Sequence, residues 1–254
     1  MIFETIPNFR DAGGHRLRDG RRMRRGLLFR AAQWTGDADL AALKAQGIAT
    51  IVDLRRPLER QKHPCPHWPD VRIIEHAQAT GGALPPHLAA LIEAGDDVQA
   101  ADALMHHIYR DMPFDPMNAA LLGRFFAELA QGEGAVLIHC AAGKDRTGVA
   151  VALVHHLLGV EPDAMLADYM ATGHAEWTRT VAEGNLGTLF ARGGNRARKE
   201  VIDVVLSVDP SYLRAAFDAI AERHGSPDAY LRDAAGVTDA RRAAIVKRFT
   251  EEGL

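Results

Sequence analysis

VLIHCAAGKDRTGVAVALVHHL, residues 136–157, sets a cysteine between two apolar runs of different length. VLIH is short, continuous and rich in branched residues, as in a strand covered on both faces. The run after Arg146 is long enough for a helix. A buried strand that feeds a helix through a tight turn is the step from which parallel sheets are built. The decisive oddity is the turn itself, where Cys140, Lys144, Asp145 and Arg146 crowd together.

Working outward, ATIVDL (49–54), VRIIEH (71–76) and AVLIHC (135–140) read as buried strands, with GLLFRA (26–31) as a weaker fourth. Helical patterns lie between them. The clearest is MNAALLGRFFAELAQG, with Leu121, Leu122, Phe125, Phe126 and Leu129 on one stripe and Gly132 as its stop. The expected fold class is α/β, a mainly parallel central sheet flanked by helices. No strand is expected after residue 146. SYLRAAFDAIAERHG carries an apolar face, and Ser226 and Thr238 are N-caps for two further helices, so 173–254 reads as a helical C-terminal part packed on the same domain. One domain over 1–254 is expected. Residues 76–116, with Gly-Gly, Pro-Pro and small-residue helices, read equally as a lid beside the site or a helical surface insertion, and 181–200 as a Gly-rich basic loop.

The chain has 254 residues, 47% of them hydrophobic, enough for a substantial core. Lys and Arg number 30 against 33 acidic residues, for a net charge of -3, which predicts no nucleic-acid partner, so any anion site must be local. Two cysteines, Cys65 and Cys140, are too few for a disulfide framework and suit a reducing compartment. No apolar run reaches membrane-spanning length and no signal peptide is recognised; a cytoplasmic location is expected, with secretion by another route left open.

With Cys140 at the strand end and a helix starting near Arg146, the intervening residues Ala141, Ala142, Gly143, Lys144 and Asp145 present successive N–H groups towards a helix N-terminus. That is an anion cradle, and Arg146 returns a guanidinium fork to it. The same field favours thiolate over thiol, making Cys140 the candidate nucleophile. Thr147 could donate to the thiolate or merely cap the helix. A Walker loop is excluded, because that pattern needs Gly at 138 and Ser or Thr at 145 where the chain has Ile138 and Asp145.

HCAAGKDRTG resembles the phosphate loop, H-C-x5-R-[ST], of the cysteine-dependent protein tyrosine phosphatase superfamily. More narrowly it is similar to the bacterial tyrosine and phosphoinositide phosphatases with H-C-x-x-G-K-D-R-T-G, a group that includes a secreted mycobacterial enzyme. NFRDAGG (8–14), LFRA (28–31), TIVDLRRPLER (50–60) and ADYMAT (167–172) match segments found in that order in the group, and Ala31 departs from the Ser that relatives often carry.

The resemblance implies a metal-free, cofactor-free, two-step hydrolysis of phosphomonoesters through a phosphocysteine on Cys140. Arg146 and the amides of residues 141–147 would hold the phosphoryl oxygens. A general acid must protonate the leaving oxygen. Asp145 and Asp53 rank first for that role, and Asp111 and Asp115 qualify only if their segment folds over the pocket. Lys144 resembles the loop lysine of phosphoinositide phosphatases, so phosphoinositides and phosphotyrosine proteins stand together as expected substrates. Six arginines between 16 and 25 suit either anionic head groups or a solvated edge. His63, Cys65 and His67 lack a second ligand pair and predict no metal site. His106, His107, His155 and His156 sit in helical patterns and are not expected to act as ligands, while His139 is expected to set the loop by hydrogen bonding. The competing classes are a rhodanese-like sulfurtransferase and a phosphate-binding module with little turnover.

Overall fold

A computed structural model of the chain describes residues 6–34, 40–65, 68–76, 89, 93–174 and 199–253. Most of 181–200, the Gly-Gly and Pro-Pro part of 76–116, and His67 lie outside the described residues.

In chain order the elements are β1 (Arg10–Asp11), β2 (Arg22–Met23), β3 (Leu28–Ala31), α1 (Leu40–Ala45), β4 (Ile48–Asp53), α2 (Pro57–Lys62), β5 (Arg72–Ile74) and α3 (Val98–Asp111). A 3₁₀ turn (Met112–Phe114), α4 (Pro116–Gln131), β6 (Ala135–His139), α5 (Asp145–Leu158) and α6 (Pro162–Met170) follow, then a second 3₁₀ turn (Ala171–His174). The chain closes with α7 (Lys199–Leu206), α8 (Pro210–His224), α9 (Pro227–Asp233), α10 (Asp239–Phe249) and β7 (Thr250–Glu251).

The central sheet runs β1-β3-β6-β4-β5, with β3, β6, β4 and β5 mutually parallel and β1 antiparallel at one edge. The fold is thus the mainly parallel α/β sheet flanked by helices that the strand runs imply. Residue alternation sends the two faces of β6 into different cores. Val136 and Ile138 join the helices α3, α4, α5 and α8, while Ala135 and Leu137 pack with Phe29, Ile51, Trp34 and Trp68. All five β6 residues are buried, which is why this strand reads as a continuous apolar run. At its C-terminal end Asp53 and His139 are register partners, so β4 delivers its acid beside the start of the cysteine loop. That end of a parallel sheet is where such folds hold ligands.

The α4 stripe is buried at all five positions read from the sequence, and Asp115 caps its N-terminus through the amides of Met117 and Asn118. Ser226 and Thr238 cap α9 and α10 as expected. From the region 76–116, α3 is an amphipathic helix capped by Asp97, with Ala101, Met105 and Tyr109 buried; it packs against α8 and α7. One expectation is corrected: the C-terminal third carries a strand. β7 pairs antiparallel with β2, inside the arginine-rich stretch. A two-residue strand written Thr-Glu has neither length nor apolar alternation to announce itself.

Candidate active site

Cys140 is the first residue after β6 and is buried. The chain then turns through Ala141–Lys144 into α5. Three consecutive carbonyls of this turn are drawn outward. That of Ala141 accepts from the Gln33 amide (3.0 Å), that of Ala142 from Asn8 Nδ2 (2.7 Å), and that of Gly143 from Arg30 Nη2 (2.9 Å). Among the described residues the amides of Ala141 to Arg146 donate to no protein acceptor. A loop pinned by its carbonyls with its N–H groups left over is a cradle built for an anion, and the N-terminus of α5 adds its own amides and dipole.

The geometry demands glycine at 143. Its φ is +65°, and a Cβ there would lie 2.4 Å from the Ala31 carbonyl oxygen. Gly148 is required by packing instead, since a Cβ would come within 2.8 Å of the Tyr169 ring.

The clamp behind the loop is electrostatic. Arg30 is wholly buried and donates to Asp168 Oδ2 (2.5 Å); Arg10 donates to Oδ1 (3.0 Å), and both guanidinium groups reach Thr172 Oγ1. Burial would raise the pKa of Asp168, but Arg30 and Arg10 outweigh it and hold the carboxyl well below the usual carboxylate range. One anion thus binds two cations, leaving the assembly behind the cradle net positive.

Arg146 is fixed by Glu59 of α2, with Nη1 to Oε2 and Nη2 to Oε1 both at 2.7 Å, while Nη1 also donates to the Leu54 carbonyl (2.9 Å). Glu59 Oε2 also accepts from the Arg56 amide (2.7 Å), which fixes the carboxylate to the start of α2. Burial alone would lower the pKa of Arg146; Glu59 overrides it and raises it, so the guanidinium stays charged.

The sequence-derived carboxylates separate clearly. Asp145 lines a cavity of about 250 Å³ together with Arg146, Arg56, Met105, Ile108 and Met112. Its Oδ1 accepts from the Tyr109 hydroxyl (2.6 Å) and lies 3.3 Å from Lys144 Nζ. Asp53 does not line this cavity. It is fully buried, pairs with Arg55 through both oxygens, and lies 3.7 Å from His139 Nε2. Burial would raise its pKa, but the Arg55 guanidinium paired with it outweighs burial and holds it below the usual carboxylate value. Asp111 and Asp115 do reach the cavity, yet Asp111 is bridged to Arg223 (2.9 Å) and Asp115 to Arg56 (3.1 Å).

Lys144 occupies the N-cap position of α5 without capping it, and its ammonium is buried, donating to the carbonyls of Val205 (2.6 Å) and Ser207 (2.9 Å) at the end of α7. A cation is well placed against a helix C-terminus. Its side chain does not line the cavity. His139 Nδ1 lies 3.3 Å from the Cys140 carbonyl oxygen, and burial pushes its pKa down to about 4, so the ring is a neutral positioning group. The Thr147 hydroxyl is buried without a protein partner among the described residues. Cys65 is a free thiol whose pKa burial pushes up to about 12.

Sequence reasoning did not single out Glu59 or Tyr109. Glu59 lies inside the quoted TIVDLRRPLER, and its spacing from Pro57 and the arginines carries no sign that it faces residue 146. Asn8, Arg10, Arg30, Asp168 and Thr172 sit in NFRDAGG, LFRA and ADYMAT, the segments carrying the resemblance; the structure gathers them around one loop.

The sequence profile of the tyrosine phosphatase family matches residues 1–251. A putative tyrosine-protein phosphatase of Cupriavidus necator is 36% identical over 248 residues, spanning 95% of this chain and 86% of the relative. The triple specificity protein phosphatase PtpB of Mycobacterium tuberculosis is 31% identical over 271 residues, spanning 94% of this chain and 96% of PtpB. With the match running nearly end to end and the cysteine loop cradled as described, the chain belongs to the tyrosine phosphatase family.

Proposed function

We propose that the chain hydrolyses phosphomonoesters through Cys140, with phosphotyrosine proteins as the first substrate class and phosphoinositides as the second. The observation that carries this reading is the cradle: three carbonyls pulled outward by Gln33, Asn8 and Arg30, and amides from Ala141 to Arg146 that donate to no acceptor among the described residues, beside a cysteine.

The thiolate sulfur of Cys140 attacks phosphorus, the bond from phosphorus to the ester oxygen breaks, and Asp145 gives that oxygen its proton. Water then attacks the phosphocysteine; Asp145, now a carboxylate, takes a proton from it, and the thiolate leaves with the Thr147 hydroxyl available as a donor. The amides and Arg146 meet the phosphoryl charge throughout; in comparable sites a single such donor is worth roughly 10²–10³ in rate. Asp145 is preferred to Asp53 as the acid because it adjoins Arg146 in the loop with its side chain 15% exposed, whereas Asp53 is wholly enclosed with Arg55.

Met105, Ile108 and Met112 supply an apolar wall suited to the ring of a phosphotyrosine. Lys144, engaged with two carbonyls, gives no separate reason to favour a multiply phosphorylated ring. The triple specificity in the name of the Mycobacterium relative is a reason to assay both classes. Phosphate release in EDTA from a phosphotyrosine peptide and a soluble phosphoinositide, with wild type and Cys140→Ser, tests the reading. Turnover of the peptide that the substitution abolishes supports it. Thiosulfate sulfurtransfer without phosphate release contradicts it.

A further inference from the structure

Oδ1 of Asp145 is held from two sides. The Tyr109 hydroxyl donates to it at 2.6 Å, and Lys144 Nζ lies 3.3 Å away. The Tyr109 oxygen is also 2.8 Å from the Tyr169 hydroxyl. A phenol has one proton to give. Since that of Tyr109 goes to Asp145, Tyr169 must be the donor between the two tyrosines, and the chain of donation runs Tyr169 to Tyr109 to Asp145. Its members come from three separate elements: Tyr109 from α3, Tyr169 from α6 and Asp145 from the first turn of α5.

A carboxyl that accepts hydrogen bonds on one oxygen carries its own proton on the other. We infer that Tyr109, backed by Tyr169, is a positioning residue of the reaction, which occupies Oδ1 of Asp145 and so assigns the proton transferred to the leaving oxygen to Oδ2. The inference rests on the reading of Asp145 as the general acid.

The surroundings suit the role. Tyr109 is wholly buried and Tyr169 nearly so. Burial raises the pKa of both phenols, with the neighbouring Asp145 adding to it, so each keeps its proton and stays a donor. Tyr109 is held edge-on to Tyr169, with ring centroids 6.4 Å apart, and lies 5.4 Å from the Tyr212 ring. Tyr212 in turn donates to Asp102 (2.8 Å), one face of α3 thus being tied to α8. The hydroxyl can therefore be removed while the ring stays packed.

The test is the dependence of kcat/KM on the leaving group, across aryl phosphates from a good leaving phenol such as p-nitrophenol to an unactivated phenol. Loss of a general acid matters most for the poorest leaving group, whereas a general loss of structure lowers all rates alike. Asp145→Asn is measured first. It is expected to steepen the dependence, with losses rising to about a hundredfold or more on the unactivated phenol. Tyr109→Phe is expected to steepen it in the same sense by about tenfold, the scale of one lost hydrogen bond between neutral groups. Tyr169→Phe should do so more weakly. In the double variant Asp145→Asn with Tyr109→Phe, the second substitution should add no further dependence.

A Tyr109→Phe loss that is equal across leaving groups, or no loss, overturns the positioning role while leaving Asp145 as the acid. An Asp145→Asn variant with no leaving-group dependence overturns the acid itself, and the inference with it. If Tyr109→Phe unfolds at assay temperature, Tyr169→Phe decides: a steepened dependence supports the chain of donation and a uniform effect refutes it.

Discussion

Arg146 and Glu59 meet fork to fork, with both guanidinium ends 2.7 Å from the two carboxylate oxygens. The pair joins the first turn of α5 to α2, which follows a different strand. Its function is orientation. A guanidinium on a flexible stem samples many rotamers, and the bidentate pair with Glu59 restricts it beside the cysteine loop.

Glu59→Gln keeps the shape and removes the charge. Misplacing a binding group by about 1 Å can cost roughly a hundredfold; the conservative change should lower kcat/KM by about tenfold and Glu59→Ala by more. Steady-state kinetics on a phosphotyrosine peptide check this, and Glu59→Gln at wild-type rate would remove the pair from the account.

Gly143→Ala should inactivate the protein by a different route. The residue has φ +65° and its new methyl would collide with the Ala31 carbonyl. Backbone strain of this kind costs about 1–3 kcal/mol, and the loop must shift to relieve it. A lowered melting temperature with loss of phosphate release is expected, and full activity in a folded variant would mean the cradle tolerates that shift.

Lys144→Met tests whether this lysine serves the fold or the substrate. Its ammonium bonds the Val205 and Ser207 carbonyls, and losing a charged donor to two buried acceptors costs about 1–3 kcal/mol. Stability should fall, and activity on phosphotyrosine and phosphoinositide should fall together. A selective loss on the phosphoinositide would instead put the ammonium in substrate binding.

Stability should also fall in mild acid. Burial holds His139 and His155 near a pKa of about 4 in the folded chain, against about 6.5 when unfolded. Between those values the unfolded chain binds protons that the folded chain refuses. The contribution is therefore fully present above about pH 6.5 and is lost as pH drops towards 4. Thermal melts at pH 7, 6 and 5 should show a progressive drop. His155→Gln, which can still donate to the Ala12 carbonyl as His155 Nε2 does at 2.9 Å, should flatten it; an unchanged slope would contradict the assignment.

The sheet was legible because β4 and β6 are covered on both faces and so are written as Val and Ile runs. Ser226 and Thr238 were legible because capping is local chemistry. Cys140, Arg146 and Asp145 stand out together in the sequence because one short segment carries them. What stayed hidden depends on distance in sequence. Nothing near Glu59 says that it meets a residue 87 positions on, and nothing near Tyr109 points to Asp145, 36 positions away. Asp53 was a reasonable candidate on strand position, and the sheet does bring it to the correct edge. Arg55, two residues on, folds back to enclose it, which strand periodicity cannot foresee. β7 was missed because a two-residue edge pair has no period.

The most direct test of the central claim is the mass of the protein itself. Wild type mixed with a phosphotyrosine peptide, quenched in acid within the first turnover and digested, should yield the peptide containing Cys140 with one added phosphoryl group, absent from Cys140→Ser. Phosphate released in a burst with no phosphoryl group on Cys140 at any quench time would contradict covalent catalysis by this cysteine.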